Sequence, residues 1–265
     1  MNASKSAERP GDSTWPFRCN ICGTHNELPR ELVVREGGNC TKCRATSRFR
    51  SIAYALSSHL FSEHTILAEA QPDKSIRGIG CSDALCYASE FKRLFDYTNT
   101  FFHCTPFLDL CNVNWEEFKP GSYDFLICSD VLEHIVPPVE RAFEGIRKLL
   151  KPTGIAVLTV PATLEPETIE HFPNLAKWRI VEEDGRKVLI NERSNGEIER
   201  FENLCFHGGR GATLEIRLFS REGLLETNAR AGLRSARILD EPVFEYGITL
   251  CAHDLVLISE VAGSQ

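Results

Sequence analysis

YDFLICSDVLEHIVPP, residues 123–138, decides how the rest of the chain is read. Its first half is a near-continuous apolar run, the signature of a strand buried on both faces of a parallel sheet. The run then gives way to Asp130, Glu133 and His134 within five positions. Ionisable side chains at the mouth of a buried strand face something polar, and in open parallel sheets ligands sit beyond the carboxyl ends of the strands.

Reading outward, KSIRGIGCSDA (residues 74–84) is an apolar strand that runs into Gly78, Gly80 and small residues ahead of a helical stretch, Ala84 to Leu94. A strand, a tight turn and a helix in that order bring a helix N-terminus to a polar or anionic ligand. A short strand near residues 97–102 and PFLDL (106–110) follow. Downstream, Pro137-Pro138 starts a helix with Val139, Phe143, Ile146 and Leu150 on one face, and Lys148, Lys151 and Pro152 mark its end. Gly154 opens a second apolar strand, IAVLTVP. Strands alternating with helices predict an α/β fold with a mostly parallel sheet covered on both sides.

Residues 162–213 interrupt this rhythm. They are polar and contain WRIVEEDGRKVLIN, two strand-like runs around Asp184-Gly185, a hairpin signal. An insertion of that length in a compact domain is read as a lid or binding element. FSREGLLETNARAG (219–232) is a helix capped by Ser220 and stopped by Gly232, and RSARILD and ITLCAHDLVLIS supply two closing strands.

The N-terminal segment carries different chemistry. Cys19 and Cys22 form one CxxC pair and Cys40 and Cys43 a second, seventeen residues later. Each pair makes a knuckle offering two thiolates, and two knuckles complete a tetrahedral four-sulfur shell for zinc. Four thiolates leave no open position, so the expected site is structural. The spacing gives a polar, disordered tail over 1–14, a zinc ribbon over 15–46, a joining helix over 47–66 and a main domain over 67–265. Arg44, Arg48 and Arg50 at the helix start either face substrate or form a solvated basic face.

Composition bounds the alternatives. The chain has 265 residues, 42% of them hydrophobic, enough for an ordinary globular core. No apolar run reaches membrane-spanning length and the first residues show no secretory pattern, so a cytoplasmic protein without membrane contact is expected. Residues 1–61 carry +4 and the remainder −11, summing to the net charge of −7. An acidic body disfavours long nucleic acid as a partner. Nothing in the sequence sets an oligomeric state.

GIGCSD, the DL of PFLDL, YDFLICSDVLEH, LLKPTGIAVLTVP and FSREGLLETNARAGL resemble, in order and spacing, the signature blocks of class I S-adenosylmethionine-dependent methyltransferases of the type 11-like group. The resemblance covers roughly residues 70–260 and implies a Rossmann-like, doubly wound, mostly parallel seven-stranded sheet. With its CxxC head, the chain resembles small-molecule methyltransferases that carry an N-terminal zinc ribbon. By that likeness Gly78, Gly80, Cys81 and Ser82 lie under the methionine part of S-adenosylmethionine and Asn99 meets the ribose. Asp109 and Leu110 hold the adenine, and Cys128, Ser129 and Asp130 flank the reactive end. Two positions depart from the pattern: the usual DxGxG is GxGxS, and Asn99 stands where an acidic residue is usual.

Methyl transfer to a hydroxyl needs the acceptor positioned and its proton removed, and His134 is the candidate base. The alternative is that the Glu133-His134 pair only caps the loop. Asp130, Glu133 and His134 with the distant His207 also resemble the arrangement by which some methyltransferases hold a second divalent metal. His59, His64, His103, His171 and His253 lack partner spacing, and Cys86, Cys104, Cys111, Cys205 and Cys251 read as buried thiols. Trp178, Phe201 and Phe206 either line an acceptor pocket or pin the lid. The expected function is O-methylation, or secondarily N-methylation, of a small polar metabolite such as a sugar, a nucleotide-linked sugar or a natural-product intermediate. An RNA methyltransferase with a zinc-ribbon reader and a non-catalytic binding protein are the alternatives.

Overall fold

The computed structural model describes residues 14–61, 65–207, 213–251 and 253–263. His64 and the expected tail, apart from Thr14, lie outside the described residues. The head is a hairpin, β1 (Thr14–Arg18) and β2 (His25–Pro29), followed by α1 (Ser47–Leu60). The main body continues with β3 (Arg77–Cys81), α2 (Leu85–Leu94), β4 (Asp96–Thr100), β5 (Tyr123–Ser129), α3 (Glu140–Leu149) and β6 (Leu150–Thr163). The insertion holds β7 (Ile169–Glu170), β8 (Lys177–Glu183), β9 (Arg186–Glu192), β10 (Ile198–Phe201) and β11 (Phe206–His207), and β12 (Thr213–Leu214) closes it. Then come β13 (Arg217–Ser220), α4 (Arg221–Arg230), β14 (Leu233–Leu239) and β15 (Asp254–Val261).

The central sheet runs β14-β15-β6-β5-β3-β4, with β13 and β7 joining at the end of β6, eight strands in all. β4, β3, β5 and β6 are mutually parallel, whereas β15 is antiparallel to both of its neighbours. PFLDL adds only a single parallel bridge, Phe101 to Phe107, just beyond β4. Alternation along β5 divides the core. Phe125 and Ile127 pack with Ile52, Leu56, Tyr87 and Phe91 of α1 and α2, while Leu126 and Cys128 pack with Phe143, Ile146 and Leu224 of α3 and α4. Each such large side chain, fully buried, contributes roughly 1.5–3 kcal/mol.

The insertion forms its own three-stranded sheet, β10-β9-β8. Its hairpin turns at Asp184 and Gly185, both in the left-handed region at φ 49° and 74°. That is the two-residue turn whose twist matches antiparallel strands. Phe172, Leu189, Leu214 and Ile216 make a separate small core beneath it, with Phe201 and Phe206 against them. Trp178 stays exposed on β8, so of the three aromatics only Phe201 and Phe206 pin the insertion.

The head is packed into the body. Cys19, Ile21 and Cys40 share one buried cluster with α1 and β5. Arg50 of α1 is fully buried over the Phe17 ring and donates to the carbonyls of Gly38, Ala45 and Gly247. The Ser47 hydroxyl donates to the Thr249 carbonyl at 2.9 Å, and the Thr249 amide donates back to it at 2.8 Å. Of the three arginines read at the helix start, Arg50 is therefore a core tie.

Packing explains the glycines of β3. A Cβ at Gly78 would overlap the Phe125 ring, and one at Gly80 would overlap the Tyr97 hydroxyl and the Asp83 carboxylate. Asp83 is buried and accepts hydrogen bonds from the hydroxyls of Tyr87, at 2.9 Å, and Tyr97. Burial pushes its carboxyl up to about 7 against the pull of the two tyrosines.

Gly78→Ala should lower unfolding free energy by about 3 kcal/mol in urea titrations, because the added methyl has only a packed aromatic face to enter. Asp83 supplies a pH signature. Its folded value lies above the ordinary carboxylate value, so its contribution to stability is full below about pH 4 and is lost as pH rises toward 7, at up to about 1.4 kcal/mol per unit. Chemical denaturation should show Asp83→Asn losing less stability than the wild type between pH 5 and 7; equal slopes would contradict this assignment.

Candidate active site

The four head cysteines come together. Cys19 Sγ lies 3.6 Å from Cys43 Sγ, and Cys22 Sγ lies 3.5 Å from Cys40 Sγ. All four sulfurs fall within 4.8 Å of one another. Tetrahedral metal–sulfur bonds of about 2.3 Å require sulfur separations near 3.8 Å, so the shell fits a metal of that size. The knuckles are built alike: Gly23 N donates to Cys19 O and Arg44 N to Cys40 O. The residue after each pair adopts positive φ, 76° at Gly23 and 64° at Arg44.

Arg35, from the loop between the knuckles, reaches the tip of β5. Its guanidinium donates to both oxygens of Asp130, at 2.9 and 2.7 Å, and its Nε lies 2.6 Å from Asp254 Oδ1. Arg48 donates to Ser129 Oγ at 2.7 Å and lies 3.3 Å from Asp130. The Thr159 hydroxyl donates to Asp130 Oδ1 at 2.8 Å. Burial pushes the Asp130 carboxyl up, but the Arg35 bonds and the Arg48 charge outweigh it and hold it below the usual carboxylate range. Asp130 therefore stays ionised as the centre of an ion-pair network, with both oxygens occupied.

Glu133 and His134 lie on a single 3₁₀ turn, Leu132–His134. The fully buried Arg217 clamps that turn by donating to the carbonyls of Leu132, at 2.9 Å, and Ile135, at 2.6 Å. His134 Nδ1 donates to the Leu214 carbonyl at 2.9 Å, which leaves Nε2 as the acceptor nitrogen, 3.7 Å from Glu133 Oε1. Burial lowers the His134 value. Burial and the Asp130 charge raise Glu133 to about 8. Glu133 Oε2 is buried with no hydrogen-bond partner among the described residues.

His207 is brought close, its ring centroid 6.0 Å from that of His134. The structure thus gathers Glu133, His134 and His207, whereas Asp130 of the expected metal set spends its oxygens on Arg35 and Thr159. His207 instead joins Glu215, with Nε2 2.5 Å from Oε2, and His171 meets the other oxygen of the same carboxylate at 2.9 Å.

On the side assigned to S-adenosylmethionine, Ser82 adopts φ 61°, so it fills the left-handed turn position where the family pattern has glycine. Asn99 Oδ1 accepts from Asp83 N and its Nδ2 donates to Asp83 O, both at 2.9 Å, so the amide closes the turn after β3. Asp109 accepts from Cys111 N at 2.8 Å, and Leu110 is a buried core residue. Cys81 and Cys128 are buried neighbours, and the Cys81 contact together with burial holds the Cys128 thiol well above its ordinary value. The side chains of this turn are engaged in holding it, and Phe125, Tyr97 and Asp83 take the space beside Gly78 and Gly80.

The expectation of buried thiols fails for all five cysteines it named: Cys104, Cys205 and Cys251 are exposed and Cys86 and Cys111 half-buried. Their apolar neighbours in sequence lie in loops or at element ends, where burial does not follow composition. Sequence reading also missed Arg35, Glu215 and Arg217. A glutamate and an arginine in the apolar run LEIRLF (214–219) were the available signal, since charges in a strand need partners. Beside the clamped turn lies an open cleft of about 570 Å³ whose lining includes Glu140, Thr168, Glu170, Arg217 and Glu226.

Among the described residues no helix is long and apolar enough to cross a membrane. The profile of the methyltransferase-domain family matches residues 61–234, more than half of the chain. A highly reducing polyketide synthase of Gibberella zeae is 36% identical over 71 residues, which are 27% of this chain and 3% of that protein, so the likeness spans a small part of it. Among solved structures, the 1,6-didemethyltoxoflavin-N1-methyltransferase of Burkholderia thailandensis, with bound S-adenosylhomocysteine, aligns with a TM-score of 0.47 and 13% identity, over 81% of this chain and 78% of that one. DesVI of Streptomyces venezuelae aligns at 0.44 and 14%, over 80% and 92%. The family match over residues 61–234 identifies the chain as a member of the methyltransferase-domain family, and its parallel β6-β5-β3-β4 sheet with an antiparallel β15 is the doubly wound fold that the sequence resemblance implied.

Proposed function

We propose that this enzyme methylates a hydroxyl, or secondarily an amine, of a small polar metabolite of the sugar, nucleotide-sugar or natural-product kind, with His134 as the general base. The observation that carries the reading is the bond from His134 Nδ1 to the Leu214 carbonyl, which fixes the tautomer and leaves Nε2 as the proton acceptor. When bound, S-adenosylmethionine supplies the methyl group on a sulfonium centre. The turn Gly78, Gly80, Cys81 and Ser82, with Asn99, Asp109, Leu110 and the end of β5 at Cys128 and Ser129, forms its proposed seat. Asp130 orders the strand tip through Arg35 and Arg48 and takes no proton itself.

His134 Nε2 accepts the acceptor's proton, and Arg217 keeps the imidazole in position by holding the turn on both sides. The cleft of about 570 Å³ falls in the size range for small ligands, but its lining runs along α4 and the start of α3 and includes neither His134 nor a residue of the proposed cofactor seat, so the reading does not rest on it. The acidic body speaks against long nucleic acid as the acceptor. The four head cysteines hold a structural zinc, whose task is to fold the loop that delivers Arg35.

His134→Gln should bind S-adenosylmethionine with wild-type affinity in calorimetry while methyl transfer to a panel of sugars and nucleotide-sugars falls by roughly 10²–10⁴-fold. Loss of cofactor binding together with turnover would show the histidine to be structural. Cys40→Ser should hold one zinc fewer than the wild type and melt lower by roughly 10 °C, the shift that a few kcal/mol produces in a chain of this size. Its cofactor affinity should weaken as well, since the Arg35 loop loses its anchor. Unchanged melting and affinity would exclude a staple in the head.

A further inference from the structure

A second cluster of metal-ligand side chains lies in the insertion. Cys205, His207 and Glu215 offer one ligand atom each, and these atoms lie within 4.8 Å of one another. We propose that Cys205, His207 and Glu215 form an open, three-ligand site for a zinc-like divalent ion beside His134, distinct from the four-cysteine shell of the head.

Three backbone contacts assemble the cluster. Glu215 N donates to Cys205 O at 2.9 Å, and β11 pairs with β12 so that His207 stands opposite Thr213. His171 N donates to Ile216 O at 2.9 Å. Glu215 is only 7% exposed, and a carboxylate this buried needs cationic or donor partners on both oxygens. His171 takes one oxygen at 2.9 Å and His207 the other at 2.5 Å, while Cys205 Sγ lies 3.6 Å from the same His207 nitrogen. Tetrahedral bonds of about 2.0–2.3 Å set ligand atoms roughly 3.3–3.8 Å apart. The thiol–imidazole separation already meets this, and the imidazole–carboxylate pair reaches it when the ion replaces the proton they share.

The donor set chooses the ion. One thiolate, one imidazole and one carboxylate favour zinc or a similar borderline ion over magnesium, which prefers oxygen alone. His171, on the far oxygen of Glu215, orients the ligand carboxylate from outside the coordination shell, as such partners commonly do. Three protein ligands leave a fourth position for water or an acceptor oxygen, the arrangement of reactive rather than structural zinc. Turn and cluster are joined directly: Ile216 N donates to Glu133 O at 2.8 Å and the His134 ring lies 6.0 Å from that of His207. Resting on the methyltransferase reading, this deepens it. An acceptor oxygen on the ion becomes more acidic, and its proton passes to His134 Nε2.

The full chain, purified without chelator, would be stripped of metal and titrated with Zn²⁺ and separately with Co²⁺, with bound metal counted per chain. Two ions per chain are expected. Cobalt should give an intense thiolate charge-transfer band from the head and a second, weaker spectrum from a mixed sulfur, nitrogen and oxygen site. Cys205→Ser with His207→Asn should bind one ion and lose only the second spectrum. Glu215→Gln provides the same loss should that pair fold poorly, as judged by circular dichroism. One ion per wild-type chain at zinc excess, or two in the variants, would overturn the proposal. Calorimetry with S-adenosylmethionine separates the two readings: a wild type that binds the cofactor but only one ion loses this site alone, and one that binds no cofactor loses the methyltransferase reading itself.

Discussion

The rim of this sheet depends on a carboxylate that could not remain ionised by itself. Asp130 directly follows β5 with positive φ, 51°, and its amide donates to the Thr159 carbonyl, so its side chain is directed by strained backbone into a poorly solvated position. A charge there costs several kcal/mol unless it is paired and hydrogen-bonded. Arg35 closes on both oxygens, Arg48 stands 3.3 Å away and Thr159 supplies a hydroxyl. Because Arg35 also meets Asp254 at the start of β15, one guanidinium joins the head, the tip of β5 and the antiparallel strand β15. Removing a partner from such an ion pair costs more than the pair contributes, so geometry here is enforced by penalty.

Much of this architecture was legible because it rests on local pattern. The apolar run ending at Cys128, the Ser220 cap that accepts from Gly223 N at 2.9 Å, and the Asp184-Gly185 turn each carry their own signal. The four-cysteine shell was readable from spacing, since two knuckles need nothing else. The chemistry at the rim was partly legible: His134 was named as a base from residue type and His207 through a resemblance, and their ring centroids lie 6.0 Å apart. What remained hidden was partnership. Arg35 finds Asp130 across 95 positions, and His171 finds Glu215 across 44, and no periodicity encodes such pairings. Asp130 resembled a ligand because its neighbours were Glu133 and His134, yet its nearest partners in space are Arg35 of the head and the Thr159 hydroxyl.

The turn after β3 carries a related lesson. Gly78 and Gly80 resemble a cofactor cradle in sequence, but the space their missing side chains leave is used by Phe125, Tyr97 and Asp83. Asn99, which the resemblance sets against a ribose, spends its amide on the Asp83 backbone. Ser82 meanwhile keeps the left-handed conformation at its own steric cost. The turn after β3 is thus held by its own side chains, with Ser82 in the left-handed conformation that the sequence pattern leads one to expect of a glycine.

The bonds of α1 to the far end of the chain carry a temporal implication. Arg50 needs the Gly247 carbonyl and Ser47 needs Thr249, contacts 197 and 202 positions apart. A ribosome adding about 5–20 residues per second takes roughly 10–40 s to cross that interval. Until then a guanidinium destined for complete burial lacks one of its acceptors, so during synthesis the amino-terminal quarter must wait, unsealed, for the last hairpin to emerge.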